Sequence, residues 1–512
     1  MRTATCLRIA IPIFLASVPA LSQQPGGGPP SSQGVKLPLS GRGDQLGSVD
    51  TARSTNPGAS PTSANLSINT VQVQGSFNGS VPSGTRSTTP VNLSLDEAIR
   101  RGLQYNLATS GFSNALRASR GQQLAARSAL LPNVSGHLLE DVQQTDLQAL
   151  GLRGGAPGLF AFPTVVGPFN YFDLRTTLTQ TVADLTALRN LRAAKEEVKA
   201  TQFAAKDARD MIVLAVSGTY LQLIAAEARV TSEQAQVKAA QAVYQQAADR
   251  NKAGLNAHID ALRAQVELQI EQQRLRSLQL DQDKQKLNLA RIIGLPLGQQ
   301  FNITDSIPYA PLEGITLEDA LNRAYANRSD MRSAEAQVKA ADYARGAAKA
   351  EYYPTLGFSA DYGAIGINPS QSHGTFTFMG TLKFPIYQGG RVHGDIEQAD
   401  AALSQRKAEL EDLKGRVDYE VRSAFLDLQA ATDQVRVSKS NTGLAQETLT
   451  QAEDRFRAGV ADTIEVVQAQ ESVAAANEDY ISSLYTYNLA KVSLARAIGT
   501  AERDVKQFLG GK

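Results

Sequence analysis

The 512-residue chain is poor in the residue types that most often build chemical sites. It has one cysteine, four histidines and no tryptophan. A single cysteine, Cys6, excludes a disulfide framework and a cysteine-based metal site, and no two histidines have the spacing of a zinc motif. No phosphate-binding loop, nucleophile elbow or catalytic triad can be found either. We therefore predict no enzyme activity, no cofactor and no metal ion.

The chain also lacks an excess of charge and a long apolar run. Lysine and arginine number 51 against 50 acidic residues, so nothing in the charge balance favours nucleic-acid binding. The most apolar internal stretch, residues 211–226, is interrupted by Ser217, Gly218, Thr219 and Gln222. A membrane span in this chain would therefore have to be part of a β-barrel.

The first 90 residues resemble a leader followed by a linker. Arg2 and Arg8 lie before the apolar stretch 9–18, and Ala20, just after it, is a small residue suited to cleavage. This pattern predicts an export signal at 1–20, whose removal would leave a cysteine-free chain suited to an oxidising compartment. Residues 21–90 are rich in Gly, Pro and Ser, and we predict that they are disordered.

From residue 91 onward the sequence repeats itself. The segment LDEA at 95–98 recurs as LEDA at 317–320, and DRxKAG at 249–254 recurs as DRxRAG at 454–459. Each copy predicts a capped helix, a strand pair and a long helical hairpin closed by a glycine turn. The first repeat is predicted at 91–300 and the second at 315–501, and each holds a strand pair and a hairpin. The predicted segments within and around them are strands at about 133–182 and 355–386, hairpins at about 185–294 and 392–499, a junction at 301–314 and a tail at 502–512.

The predicted strands alternate between apolar and polar residues, cleanly in the second repeat and more weakly in the first. In the last strand Phe376, Phe378 and Leu382 face one way, whereas Thr375 and Thr377 face the other. Alternation over about ten residues is typical of a transmembrane β-strand. The long helices that follow contain no proline and would reach roughly 100 Å.

Four strands per chain are too few to close a membrane barrel, because the smallest barrels have about eight. Two, three or four copies would have to share one barrel, since an open edge is not tolerated in lipid. The alternative is a secreted coiled-coil structural or adaptor protein without a pore. Such a protein would not need lipid-facing strands.

The duplicated order of elements, the tip segments RNKAG at 250–254 and RFRAG at 455–459, and FPIYQGG at 384–390 resemble the TolC-type outer-membrane efflux proteins. The resemblance covers residues 91–501. It implies an α+β membrane protein built as a homotrimer, with a twelve-stranded β-barrel in outer-membrane lipid and an α-helical barrel in the periplasm. It also implies a passive exit duct for substrates that an inner-membrane proton-driven (RND) or ABC transporter delivers through a periplasmic adaptor protein. The chain departs from the family pattern in two ways. The segment at 23–90 has no counterpart in the typical pattern, and the chain lacks the mature N-terminal cysteine by which some members are anchored to lipid.

The resemblance further implies two groups of site residues. The residues expected to contact the adaptor lie at the helical tips: Arg250, Lys252, Gly254, Leu255, Arg455, Arg457, Gly459 and Val460. The residues expected at the periplasmic entrance and gate are Asp260, Glu465 and Phe456. Phe456 stands where the family often has tyrosine, and Ala461 where it often has arginine. Phe456 lacks the tyrosine hydroxyl, so the side-chain contacts that close the gate must differ from those of the family. The alternative for each group is structural: glycine turns, charges that pair with helix ends, and a solvated helix face.

Overall fold

The computed structural model describes residues 47–55, 67–149, 151, 163–254, 257–306, 309–312, 314–458, 460–461 and 463–509. The predicted signal at 1–20 lies outside these residues. The described chain divides into two compact units. One contains residues 128–184 and 354–384, and the other contains the remaining described residues.

The described residues form eight strands and nine α-helices. The strands are β1 (Val49–Thr55), β2 (Ser67–Val73), β3 (Val91–Leu93), β4 (Asn133–Asp146), β5 (Val165–Ala183), β6 (Phe301–Ile303), β7 (Thr355–Gly366) and β8 (Ser372–Lys383). The helices are α1 (Leu95–Tyr105), α2 (Leu107–Ser128), α3 (Leu185–Lys252), α4 (His258–Ile293), α5 (Leu317–Asn327), α6 (Ser329–Ala350), α7 (Arg391–Arg457), α8 (Thr463–Ala497) and α9 (Ala501–Phe508).

The two halves have the same order of elements and nearly the same lengths. Helices α1, α2, α3 and α4 have 11, 22, 68 and 36 residues, and α5, α6, α7 and α8 have 11, 22, 67 and 35. Each half opens with the same cap, because the hydroxyl of Ser94 accepts from the Glu97 amide and that of Thr316 accepts from the Asp319 amide. Acidic residues in the first turn of both helices stabilise their N-termini.

The smaller unit contains a four-stranded antiparallel sheet in the order β4-β5-β7-β8. The two halves of the chain meet at its centre, where β5 pairs with β7. Asp173 lies opposite Leu139 on one side and opposite Ile365 on the other. The outer strands β4 and β8 have no further strand beside them among the described residues, so the sheet has two open edges.

The core of the larger unit is centred on α3. Its residues 212–216 and 220–225 are almost entirely buried, with Ile212, Val213 and Tyr220 fully covered. Among the described helices, α3 is the one whose length and composition would allow a membrane crossing, but 78% of its most apolar window is buried inside the protein. The segment is therefore packed as a core helix.

The prediction of disorder at 21–90 is wrong for the described residues 47–55 and 67–90. Strands β1 and β2 form an antiparallel hairpin that packs against α3 and α8. Val49 and Phe77 are buried, and Val71 fills the notch left by Gly218, where an added Cβ would lie 2.2 Å from the Val71 Cγ2. A few apolar residues suffice here because they enter an existing core rather than build their own. The rest of 21–90 lies outside the described residues.

The predicted junction at 301–314 contacts both halves of the chain. Strand β6 pairs in parallel with β3. The Ala310 carbonyl accepts from the Tyr487 hydroxyl at 2.9 Å and from the Lys491 ammonium. The same hydroxyl accepts from the Leu312 amide at 3.1 Å. The predicted tail at 502–512 lies mostly in α9, whose Val505 and Phe508 are buried.

A buried arginine links several helices of the larger unit. Arg328, between α5 and α6, is only 2% exposed. Its guanidinium contacts the Asp330 carboxylate at 2.6 Å and the Glu420 carboxylate of α7, and it donates to the Ala497 carbonyl at 3.4 Å. Burial lowers the pKa of Arg328, but the hydrogen bonds and charges of Asp330 and Glu420 outweigh it and raise the pKa above its ordinary value. Nearby, burial raises the pKa of Asp207 to about 6, although Arg496 lies 2.6 Å away.

Candidate functional sites at the helix tips and on the sheet

The first helical tip is a short turn that depends on glycine. Helix α3 ends at Lys252, and Gly254 adopts a positive φ of 72° with its amide bonded to the Asn251 carbonyl. A residue with a Cβ is disfavoured at this φ, although no atom of the described residues lies within 4 Å of such a Cβ. The turn is thus defined by backbone conformation and its surface is open. The predicted contact residues Leu255 and Gly459 lie outside the described residues.

A contact that the sequence did not suggest joins the two tips. The guanidinium carbon of Arg250 lies 4.6 Å from the centre of the Phe456 ring, which gives a cation–π contact. Arg250 also donates to the Phe456 carbonyl at 3.3 Å and to the Arg457 carbonyl at 3.5 Å. Arg250 therefore binds both the ring and the C-terminal carbonyls of α7.

The repeat-equivalent arginines have different partners. Arg455, which corresponds to Arg250, pairs with Glu465 of its own hairpin at 2.9 Å. The position equivalent to Phe456 in the first repeat is Asn251, which offers no aromatic ring. The bridge between the tips therefore runs in one direction only, from the first hairpin to the second.

The remaining tip residues are exposed and paired locally. Lys252 lies 3.6 Å from Asp249, Arg457 lies 2.8 Å from Asp454 and 3.0 Å from Glu453, and Val460 is exposed. Exposed pairs of this kind contribute little stability. These side chains are consequently free to exchange their partners for those of another protein.

The three predicted gate residues are in different environments. Phe456 is 3% exposed and belongs to a small core with Val243, Ala247 and Val466. Asp260 lies in the first turn of α4, 4.0 Å from Arg263. Glu465 lies in the first turn of α8 and pairs with Arg455. The structure thus keeps the two carboxylates near the tip surface and places Phe456 in the packing between the hairpins.

A shallow, open depression of about 530 Å³, here called the groove, lies along one face of the last turns of α3 next to this bridge. Its lining mixes small and polar side chains: Ala242, Gln245, Gln246, Asp249, Arg250 and Ala253. Small residues allow another helix to approach closely, and the amides and Arg250 offer donors and acceptors. The groove is therefore a surface on which a helical partner could pack.

Farther from the tips, four glutamates meet between α3, α4 and α8. Glu233 and Glu271 are buried, and one oxygen of each has no hydrogen-bond partner among the described residues. Burial and the neighbouring Glu233 raise the pKa of Glu271 to about 7, and burial, Glu271 and Glu471 raise the pKa of Glu267. Arg274, 3.5 Å from Glu233, is a cation that opposes these shifts. The sequence did not single out this cluster, because glutamates are common throughout such helices.

One face of the sheet is apolar and exposed. The strand register places these side chains together: Val134, Leu138, Leu174, Leu178, Tyr362, Phe376 and Phe378. Tyr362, Phe376 and Phe378 are each about 70% exposed. An exposed apolar patch of this extent is rare on soluble monomers and marks a surface that contacts lipid or protein.

The opposite face is polar. It carries Ser135, His137, Asp173, Arg175, Thr177, Asp361, Thr375 and Thr377. The register thus reproduces the predicted alternation in the main, with Leu139, Ile365 and Met379 as exceptions on the polar face and Glu140 and Thr176 as exceptions on the apolar face. The arrangement of an apolar outer face and a polar inner face is the one found in membrane barrels.

The family model described as outer membrane efflux protein matches residues 112–295 and 320–500. The chain belongs to this family. The predicted family is thereby confirmed, and the match falls into two segments that correspond to the two halves of the chain.

Individual relatives are distant but consistent. The pyoverdine export outer membrane protein OpmQ of Pseudomonas putida is 25% identical over 326 residues, which are 61% of this chain and 65% of that protein. The match thus spans slightly less than two thirds of the relative. The outer membrane protein VceC of Vibrio cholerae has a TM-score of 0.67 at 18% identity, covering 79% of this chain and 96% of that one. The CmeC outer membrane channel of Campylobacter jejuni has a TM-score of 0.70 at 15% identity, covering 90% and 98%. The chain has the mostly helical α/β fold of these proteins.

Proposed function

We propose that this protein is the outer-membrane channel of a tripartite efflux or secretion system and acts as a passive exit duct. The observation that carries the proposal is the sheet with one apolar exposed face, one polar face and two open edges. Such a sheet is not stable alone in lipid, because the backbone groups of β4 and β8 would lack partners. Pairing of β8 with β4 of another copy removes both edges.

Three copies give twelve strands, which is the number that the family resemblance implies. The polar face then lines the pore and the apolar face meets outer-membrane lipid. Three copies of the helical unit would form the periplasmic tube. The secreted coiled-coil alternative is disfavoured because it leaves the exposed aromatic residues of β7 and β8 without a purpose.

The helical tips are the proposed contact with a periplasmic adaptor. The open turn at Gly254, the exposed Arg455, Arg457 and Val460, and the groove along α3 support this role, and Leu255 and Gly459 are included by the resemblance. Asp260 and Glu465 are proposed to line the periplasmic entrance. Phe456 is proposed to act through Arg250, as a ring that holds the two hairpins together. An inner-membrane RND or ABC transporter would deliver the substrate.

The barrel is tested by cross-linking between copies. Ser135→Cys on β4 is combined in turn with Thr375→Cys, Thr377→Cys and Thr381→Cys on β8, all on the polar face. Two strands separate β4 from β8 in one chain, so a cross-link between them reports a neighbouring copy. We expect one register to yield a covalent trimer in outer-membrane fractions, while each single substitution, as a control, yields none. A protein that remains a monomer in detergent, or never cross-links, would disprove the barrel.

The adaptor contact is tested at the tip turn. Gly254→Val strains only the turn, at a cost of a few kcal/mol at most, so the trimer should form while export of a reporter dye falls. Gly443→Ala, in an open position on α7, is the matched control and should leave export intact. Normal export with Gly254→Val would remove this turn from the adaptor contact.

A further inference from the structure

The polar face of the sheet carries a group of fixed charges near the middle of its strands. Arg175 on β5 lies 3.1 Å from Asp173 on the same strand and 3.3 Å from Asp361 on β7. Its Nε also donates to Asp173 Oδ1 at 3.2 Å. One guanidinium thus serves two carboxylates, and the group has a net charge of −1.

The group is held in place rather than freely solvated. The side chain of Asp173 is 11% exposed, that of Asp361 19% and that of Arg175 28%. The register sets Asp361 between Thr177 and Thr377, so neutral polar neighbours flank it on both sides. An ion pair alone would have been neutral, and the second carboxylate leaves an uncompensated charge.

Uncompensated charge within membrane-spanning segments is costly and is usually found facing water-filled paths, where it acts on ions. Rings of carboxylates favour cations in such pores. Low-dielectric walls also focus the field of fixed charges into the opening.

We propose that Asp173, Arg175 and Asp361 form a belt of net negative charge that makes the pore favour cations over anions. The inference rests on the proposed function, because three copies must close into one barrel for the belt to form. The closed belt contains six carboxylates and three guanidinium groups. Small inorganic cations and positively charged export substrates are the class of solute that it favours.

The test is the reversal potential of the purified trimer in a planar bilayer across a KCl gradient. Asp361→Asn and Asp173→Asn should each lower the K⁺/Cl⁻ permeability ratio by about twofold or more, since a unit charge about 8 Å from a monovalent ion in water changes its occupancy by about that factor. Arg175→Gln should raise the ratio, whereas Arg175→Lys keeps the charge and should leave it nearly unchanged. Glu140→Gln removes the same charge from the opposite face, across from Phe172, and is the matched control.

The opposite signs expected for the aspartate and arginine variants separate this role from a structural one. A purely structural network would lower trimer yield in all variants and leave the selectivity of the surviving pores unchanged. Conducting pores with unaltered selectivity, or shifts of the same sign for Asp361→Asn and Arg175→Gln, would overturn the inference and leave the proposed function standing. A wild-type protein that forms no pore would overturn both.

Discussion

At the scale of single residues, Arg328 shows how the two ends of the second half are joined. It lies at the start of α6, reaches Glu420 in the middle of α7 and donates to the last turn of α8. Gly499 allows this contact, because its φ is 74° and an added Cβ would lie 2.9 Å from the Arg328 backbone. The arginine and the glycine therefore form one packing unit.

Arg328→Ala should destabilise the protein by about 3 kcal/mol, because removing one partner of a buried ion pair leaves its carboxylates without compensation. The measurement is urea unfolding of the purified protein in detergent. Arg422→Ala is the control, since the ion pair of Arg422 among the described residues is with the exposed Asp418 of its own helix, and its loss should have little effect on stability. Equal losses for both variants would contradict the assigned role of Arg328.

At the scale of elements, the β1–β2 hairpin depends on its fit to α3. Gly218→Ala adds a methyl group that collides with Cγ2 and Cβ of Val71. The side chain of Val71 is β-branched and stiff, so it cannot easily move away. The hairpin should detach, and its strands at 47–55 and 67–73 should become sensitive to limited proteolysis. Val71→Ala in the same chain removes the 2.2 Å contact with Cγ2 and leaves the Val71 Cβ 3.0 Å from the added methyl group, so it should restore part of the resistance. Proteolysis unchanged in Gly218→Ala, or not rescued in the double variant, would show that the hairpin is held elsewhere.

The glutamate cluster between α3, α4 and α8 predicts a pH dependence. The pKa of Glu271 is raised from 4.5 to about 7 in the folded protein, so the folded state binds more protons than the unfolded state between these values. The free energy of unfolding should therefore fall as pH rises from about 4.5 to 7.

Glu271→Gln, which cannot ionise, should flatten this dependence and be more stable than the wild type at pH 8 by about 2 kcal/mol, once the pKa shift is discounted for solvent screening. Thermal unfolding at pH 5 and pH 8 measures the difference. The control is Glu227→Gln, at an exposed position of α3, which should behave like the wild type. A Glu271→Gln variant as pH-dependent as the wild type would show that another group in the cluster carries the proton.

Local patterns in the sequence were enough for some elements and not for others. Strand alternation around Phe376 and the helix cap at Thr316 could be predicted, because each is encoded within a few neighbouring residues. The hairpin that contains Val71 could not, since its stability comes from Gly218, far along the chain. The stacking of Arg250 on Phe456 and the burial of Glu271 were missed for the same reason, as both depend on how helices pack.

At the scale of the whole molecule, the helical core is built around α3. The middle of this helix carries polar residues, which is unusual for a segment so deeply buried. Ser217 and Thr219 are buried among aliphatic side chains. The Thr219 hydroxyl is bonded to the Ala215 carbonyl, whereas the Ser217 hydroxyl has no partner among the described residues. For the folded protein alone, aliphatic residues would serve as well.

The polar residues have a consequence before folding begins. An exported chain crosses the inner membrane unfolded, and an uninterrupted apolar stretch of about 20 residues would stop there as a membrane helix. Replacing Ser217 and Thr219 by Val and Gln222 by Leu should strand part of the protein in the inner membrane, which cell fractionation would detect, while Gln245→Leu outside the stretch should not. Complete delivery of the triple variant would refute this. The core of the helical unit is thus only as hydrophobic as its passage through another membrane allows.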